Sequence, residues 1–174
     1  MNKWVIIGIV LVLVVLSFIF LFLRRNVRHG EYIRISYSSS GNMLGNTDEV
    51  SLDIKDKELT TRFAQAHNEP IHVVKYKVED NDVKDILEMI DSYNYLVLAR
   101  RKTDKKMFAL DGPATKVVIT TNDKPIGGYS SNEHSIYYDY KLSSSEREKV
   151  REIEKKLHLF IKEDNKIDEF DEER

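Results

Sequence analysis

The chain contains no cysteine. Its fold therefore needs no disulfide, and a bacterial lipoprotein anchor is excluded because that lipid is attached through a cysteine thiol. The absence is compatible with an oxidising and with a reducing compartment. It therefore does not say on which side of a membrane the protein works.

The part of the chain that lies between its two charged ends also has little net charge. Residues 1–30 carry four cations and no acid, and residues 163–174 carry seven acids against two cations, in a chain of formal charge −2. Residues 31–162 therefore have a net charge of −1. A nucleic-acid-binding domain is expected to show a basic excess, so we predict no nucleic-acid partner. We expect the acidic segment 163–174 to be a solvated, disordered tail, with a docking segment as the alternative.

Motifs that specify catalysis or cofactor binding are missing as well. The sequence has no Gly-x-Ser-x-Gly elbow, and the spacing of Gly41 and Gly45 matches neither the P-loop nor the dinucleotide fingerprint. The histidines show neither His-x-His nor His-x-x-x-His spacing. We therefore assign no catalytic, cofactor-binding or metal-ligating residue and expect no cofactor.

Two groups of residues keep an enzymatic alternative open. His67 and His72 flank a predicted turn that contains Glu69, and two imidazoles with one carboxylate could hold zinc. The serines within 36–40 could include a hydrolase nucleophile. Exposed turn residues explain both groups without chemistry, so a membrane-tethered hydrolase is the second interpretation.

Three further groups of residues could form contact surfaces. Met43 and Leu44 are two apolar residues at a loop tip, which either fold back on the core or contact a partner. Four tyrosines lie close together in the sequence: Tyr129, Tyr137, Tyr138 and Tyr140. Some of them should belong to the core, and those that face outward could bind a ligand. A basic loop could contact anionic headgroups or simply be solvated: Arg100, Arg101, Lys102, Lys105 and Lys106.

The strongest positive feature is a run without charged side chains at residues 4–23. A helix of this length spans roughly 30 Å, the thickness of the hydrocarbon core of a bilayer. The run is longer than the apolar region of a signal peptide, and it ends in bulky residues followed by Arg24 and Arg25, which is a poor cleavage site. It therefore predicts a permanent transmembrane helix, with the lipid bilayer as its partner.

The charges that flank this run do not fix its orientation. Lys3 precedes it, whereas Arg24, Arg25 and Arg28 follow it. The positive-inside rule favours a cytoplasmic domain by about one charge, but long C-terminal domains translocate largely regardless of such a bias. The prediction is a single-pass protein of the cell membrane, and the sequence does not decide which side of the membrane its domain faces.

Hydrophobic periodicity predicts one α+β domain after the anchor. Residues alternate in four successive segments joined by short turns, which indicates a β-meander beginning at Glu31. A helix should follow from Asp80 to Asn94, residues 95–99 should form a short strand or buried crossing, and further strands should lie within 117–140. The sequence Ser143 to Glu146 is a capping box that begins a second helix.

The predicted organisation is therefore a short tail at residues 1–3, a transmembrane helix at 4–23, a linker at 24–30, a globular domain at 31–162 and the acidic tail at 163–174. The domain should be a mostly antiparallel sheet with two helices packed on one face. An anchored domain without a catalytic motif is most simply a non-catalytic binding or interaction module at the membrane surface, with a protein partner.

Overall fold

A computed structural model of the chain describes residues 31–41, 46–66, 69–102, 114–122, 133–137 and 142–173. All of them belong to one of the two units into which the chain divides, residues 31–174. The predicted transmembrane run at 4–23 and the linker at 24–30 lie outside the described residues. No helix in the described ranges has the length and apolar character needed to cross a membrane.

The described residues form the predicted antiparallel sheet. Its seven strands are β1 (Tyr32–Gly41), β2 (Asn46–Asp53), β3 (Glu58–Ala64), β4 (Ile71–Lys77), β5 (Ala114–Thr121), β6 (Glu133–Tyr137) and β7 (Lys166–Glu172). Their order across the sheet is β6-β5-β1-β2-β3-β4-β7. The predicted four-strand meander is thus confirmed, and β5 and β7 add to its two sides.

Within the described residues, three helices pack against one face of this sheet, which we call the core face. They are α1 (Asp80–Ser92), α2 (Tyr95–Lys102) and α3 (Ser144–Leu159). The two long helices, α1 and α3, are the predicted pair. Their apolar stripes join the inward-facing strand residues in a single buried cluster that includes Ile35, Leu52, Ile86, Ile119 and Ile153.

Local sequence signals set the ends of these elements. Asn94 adopts a positive φ of 51° directly after α1, the left-handed conformation that asparagine tolerates. Lys57 has a φ of 55° in the turn between β2 and β3. At the start of α3, the Ser143 hydroxyl accepts the Glu146 N–H at 3.3 Å, and the Glu146 carboxylate accepts the Ser143 N–H at 2.7 Å. The predicted capping box is therefore confirmed.

Residues 95–102 differ in part from the prediction of a short strand or a buried crossing at 95–99 and a basic loop from Arg100. They form helix α2, in which Tyr95, Leu96, Leu98 and Ala99 are all buried. A short apolar run buried on several sides has no clear period, so periodicity alone does not separate a strand from a buried helix.

The acidic segment also differs from its expectation. Residues 163–165 form a 3-10 turn, and Lys166–Glu172 form strand β7, paired antiparallel with β4. The prediction of a disordered tail is wrong for these residues because β4 provides backbone hydrogen-bond partners and side chains of β3 and β4 approach the acids. Arg62 lies 3.6 Å from Glu172, and His72 lies 3.0 Å from both Glu169 and Asp171.

Candidate functional site

The second face of the sheet, which we call the open face, carries no helix within the described residues. Alternation along each strand decides which side chains lie there. In β1, Ile35 and Tyr37 belong to the core cluster, so Arg34, Ser36 and Ser38 point to the opposite side.

The register of the meander aligns short hydroxyl side chains across the middle of the open face. Ser36 lies opposite Ser51, Ser51 lies opposite Thr60, and Thr60 lies opposite Lys75. Ser51 is only 7% exposed although it belongs to the open face. Larger charged side chains lie two residues away along the same strands, so the short side chains form the floor of a depression.

This depression, which we call the polar depression, has a volume of about 260 Å³. Its lining combines three cations, three acids and two hydroxyls: Arg34, Arg62, Lys75, Asp53, Asp56, Glu58, Ser51 and Thr60. The formal charge of the lining is therefore zero. Such a surface can recognise a ligand that carries both charge signs, because each sign finds an opposite partner there.

The cations of the depression differ in how they are engaged. The Lys75 ammonium lies 3.0 Å from the Glu58 carboxylate. By contrast, Arg34 is 3.8 Å from Asp53 and Arg62 is 3.6 Å from Glu172, both beyond hydrogen-bond distance. A guanidinium has five N–H donors, so both arginines retain donors for a carboxylate of an incoming ligand.

The acid side of the depression is held by the β2–β3 turn. The Asp53 carboxylate accepts the backbone N–H groups of Lys55 and Asp56, both at 3.1 Å. These bonds fix the turn whose next residue, Lys57, has a positive φ. The Asp53 carboxylate is therefore held by backbone hydrogen bonds, which preorganises this part of the depression.

Of the two histidines in the zinc hypothesis, only His72 lies within the described residues. The His72 ring lies between two strand β7 carboxylates, with Nε2 3.0 Å from Glu169 and Nδ1 3.0 Å from Asp171. Its two nitrogens point at different acids, and no cluster suited to a metal ion occurs in the described ranges. His67 lies outside those ranges, and Glu69 is exposed.

The serines of 36–40 lie in strand β1, not in a turn, and Ser39 lies on the face opposite to Ser36 and Ser38. The Ser39 hydroxyl shares a hydrogen bond of 3.2 Å with Thr115 on the neighbouring strand. This contact is a cross-strand pair of the kind that stabilises sheets. The strand accounts for these serines structurally.

The remaining candidate surfaces are only partly described. Tyr137 lies at the end of β6, and its neighbour Ile136 belongs to the core. Arg100, Arg101 and Lys102 belong to helix α2. The other members of these groups lie outside the described residues: Met43, Leu44, Lys105, Lys106, Tyr129, Tyr138 and Tyr140.

The polar depression was not predicted from the sequence, although part of the pattern that forms it is visible in the sequence. Arg34, Ser36 and Ser38 form the polar half of an alternating strand, as do Ser51 and Asp53. This pattern is also that of an ordinary solvated face. Only the pairing register shows that the short side chains of several strands line up.

Comparison with known proteins found no matching family model, no similar curated protein and no similar solved structure.

Proposed function

We propose that this chain is a single-pass membrane-anchored binding module that holds a protein partner on the open face of its sheet. The observation that carries the proposal is the polar depression, which combines a short-side-chain floor with a charged rim. The uncharged run at 4–23 supports the membrane anchor by its length. The hydrolase alternative has no comparable support.

The chemistry of the depression favours a polypeptide segment with charges of both signs as the occupant. A polyanion would meet Asp53, Asp56 and Glu58 as well as the three cations. A polypeptide segment can place a carboxylate at Arg34 or Arg62 and an amine at the acid end. Charge complementarity of this kind selects partners and orients them.

A matched pair of substitutions on the open face tests the binding site. Thr60→Lys places a long side chain on the floor of the depression, whereas Ser135→Lys makes a comparable change on the same face of the sheet in β6, outside the lining. We expect crosslinked partner complexes of the full-length chain in detergent to fall at least tenfold for Thr60→Lys and to persist for Ser135→Lys. Equal crosslinking in both variants would contradict the proposed face.

A labelling experiment tests the anchor and its orientation. The chain has no cysteine, so Lys55→Cys in the exposed β2–β3 turn creates a single thiol. The protein should stay in the membrane fraction after alkaline carbonate extraction. Labelling by an impermeant thiol reagent in intact cells would place the domain outside, and labelling only after lysis would place it inside. Buried Ile35→Cys is the control that should resist the reagent in both cases.

A further inference from the structure

Strand β7 is an edge of the sheet. In the described part of the chain it pairs with β4 alone, on one side. It lies within the continuous described range 142–173. An edge strand presents unpaired N–H and C=O groups, to which a further extended strand can add.

The charge of this edge is strongly one-sided. Residues 163–173 carry seven acids and a single cation, Lys166. Asp168 and Glu173 take part in no ion pair among the described residues. A partner strand beside β7 would therefore meet an excess of negative side chains.

Two apolar side chains accompany these acids. Ile167 is 54% exposed at the irregularity in the β4–β7 pairing, and Phe170 is 37% exposed opposite Val73. Exposed apolar residues on an edge strand favour association with another chain. They offer contacts that a purely solvated edge lacks.

The charge decides which chain is accepted. Pairing of β7 with β7 of a second copy would bring together two strands that each carry a net negative charge, and this repulsion is destabilising. A basic segment would instead form opposite-charge pairs with the same residues. The edge thus disfavours self-association and favours a cationic partner.

We infer that β7 is a docking edge for an extended basic segment of a partner protein, bound by addition of a strand to the sheet. The acids of β7 lie on both of its faces, so the segment carries lysine or arginine on both faces as well, with apolar residues only beside Ile167 and Phe170. Seven residues match the length of β7 and span roughly 23 Å. This inference stands independently of the polar depression.

The test uses a seven-residue peptide with two valines three residues apart and lysine at the other positions, together with the full-length chain in detergent. We expect saturable binding in fluorescence anisotropy and slower hydrogen exchange of the β7 amides. A peptide of the same sequence that is N-methylated at alternate residues keeps its charge but loses the backbone donors of one edge, so it should bind at least tenfold more weakly. Equal binding of both peptides would show attraction by charge alone and overturn the inference.

Matched substitutions locate the contact. Asp168→Asn with Glu173→Gln removes two charges from the edge, whereas Glu88→Gln with Glu148→Gln removes two from helices α1 and α3. The edge variant should bind the peptide at least about fivefold more weakly than the wild type, and the helix variant should bind it as tightly as the wild type does. Thr60→Lys should leave peptide binding unchanged, which separates this inference from the proposed function. Dimerisation through β7 in analytical ultracentrifugation would contradict it.

Discussion

At the scale of single residues, the Tyr95 hydroxyl is the least satisfied group in the core. Tyr95 is 1% exposed, and its hydroxyl has no hydrogen-bond partner among the described residues. Burial raises the pKa of this phenol because the charged form would lose its solvation. The ring contributes apolar contacts, while the hydroxyl adds an uncompensated desolvation cost.

Tyr95→Phe is therefore expected to leave the free energy of unfolding unchanged or to raise it by up to about 1 kcal/mol. Tyr93→Phe is the contrasting change, since the Tyr93 hydroxyl donates to the Glu152 carboxylate on α3. It should lower the free energy of unfolding by about 0.5–1.5 kcal/mol. Urea unfolding of both variants measures the difference, and a loss of stability in Tyr95→Phe would show that its hydroxyl has a partner.

At the scale of elements, β7 depends on side-chain charge as well as on its ladder with β4. The Lys166 ammonium hydrogen-bonds the Glu169 carboxylate and lowers its pKa, and His72 adds to the effect. A carboxyl whose pKa is lowered by folding stabilises the fold above its ordinary pKa. This contribution is lost as the pH falls through the folded value.

Glu169→Gln is accordingly expected to weaken the β4–β7 pairing at pH 7 and to have little effect at pH 2. Hydrogen exchange of the β7 amides measures the pairing directly at pH 7, and urea unfolding extends the comparison to low pH. Glu173→Gln makes the same change in charge just beyond the strand and should leave the exchange unchanged. A destabilisation by Glu169→Gln that is equal at pH 7 and pH 2 would rule out a role for its charge.

The elements also show what the sequence could and could not predict. The meander was predictable because short turns force successive strands to pair, and α3 was predictable from its capping box. The strand order beyond the meander was not, because β1–β5 and β4–β7 join residues far apart in the chain. Strand β7 was missed because its acids resemble a solvated tail and its irregular pairing breaks the alternation.

The candidate site was less predictable than the fold. Apart from Asp56 in the β2–β3 turn, the polar residues of the depression were visible in the sequence as the outward halves of strands. Their alignment depends on the register between strands, which places Ser36, Ser51 and Thr60 in one row. Side chains from three strands thus form a surface that no single segment encodes.

At the scale of the whole molecule, tyrosines make the domain sensitive to alkali. Burial, with the nearby Glu154 carboxylate, raises the pKa of Tyr37 to about 12. Burial also raises the pKa of Tyr32 and Tyr95. In the unfolded chain a tyrosine ionises near pH 10, so above this pH the unfolded state binds fewer protons than the folded state.

We therefore expect the free energy of unfolding to fall as the pH rises from 10 to 12, after being insensitive to these groups below pH 10. Tyr37→Phe should flatten this fall, since phenylalanine has no proton to release, even where it lowers stability at pH 8. Urea unfolding at pH 8, 10 and 11 measures the slope. An equal slope in wild type and Tyr37→Phe would show that Tyr37 does not contribute.

The placement of β1 has a mechanical consequence. The Glu31 backbone N–H donates to the Asn122 side-chain carbonyl at 2.8 Å, and the Asn122 backbone N–H donates to the Glu31 backbone carbonyl at 2.9 Å. These two hydrogen bonds connect the start of β1 to the end of β5. Strand β1 is then bonded along its length to β2 and β5. A pull on the chain from residue 30 would load two ladders in shear at once, because their hydrogen bonds run perpendicular to the strand. The domain is thus built to bear tension arriving from its N-terminal side.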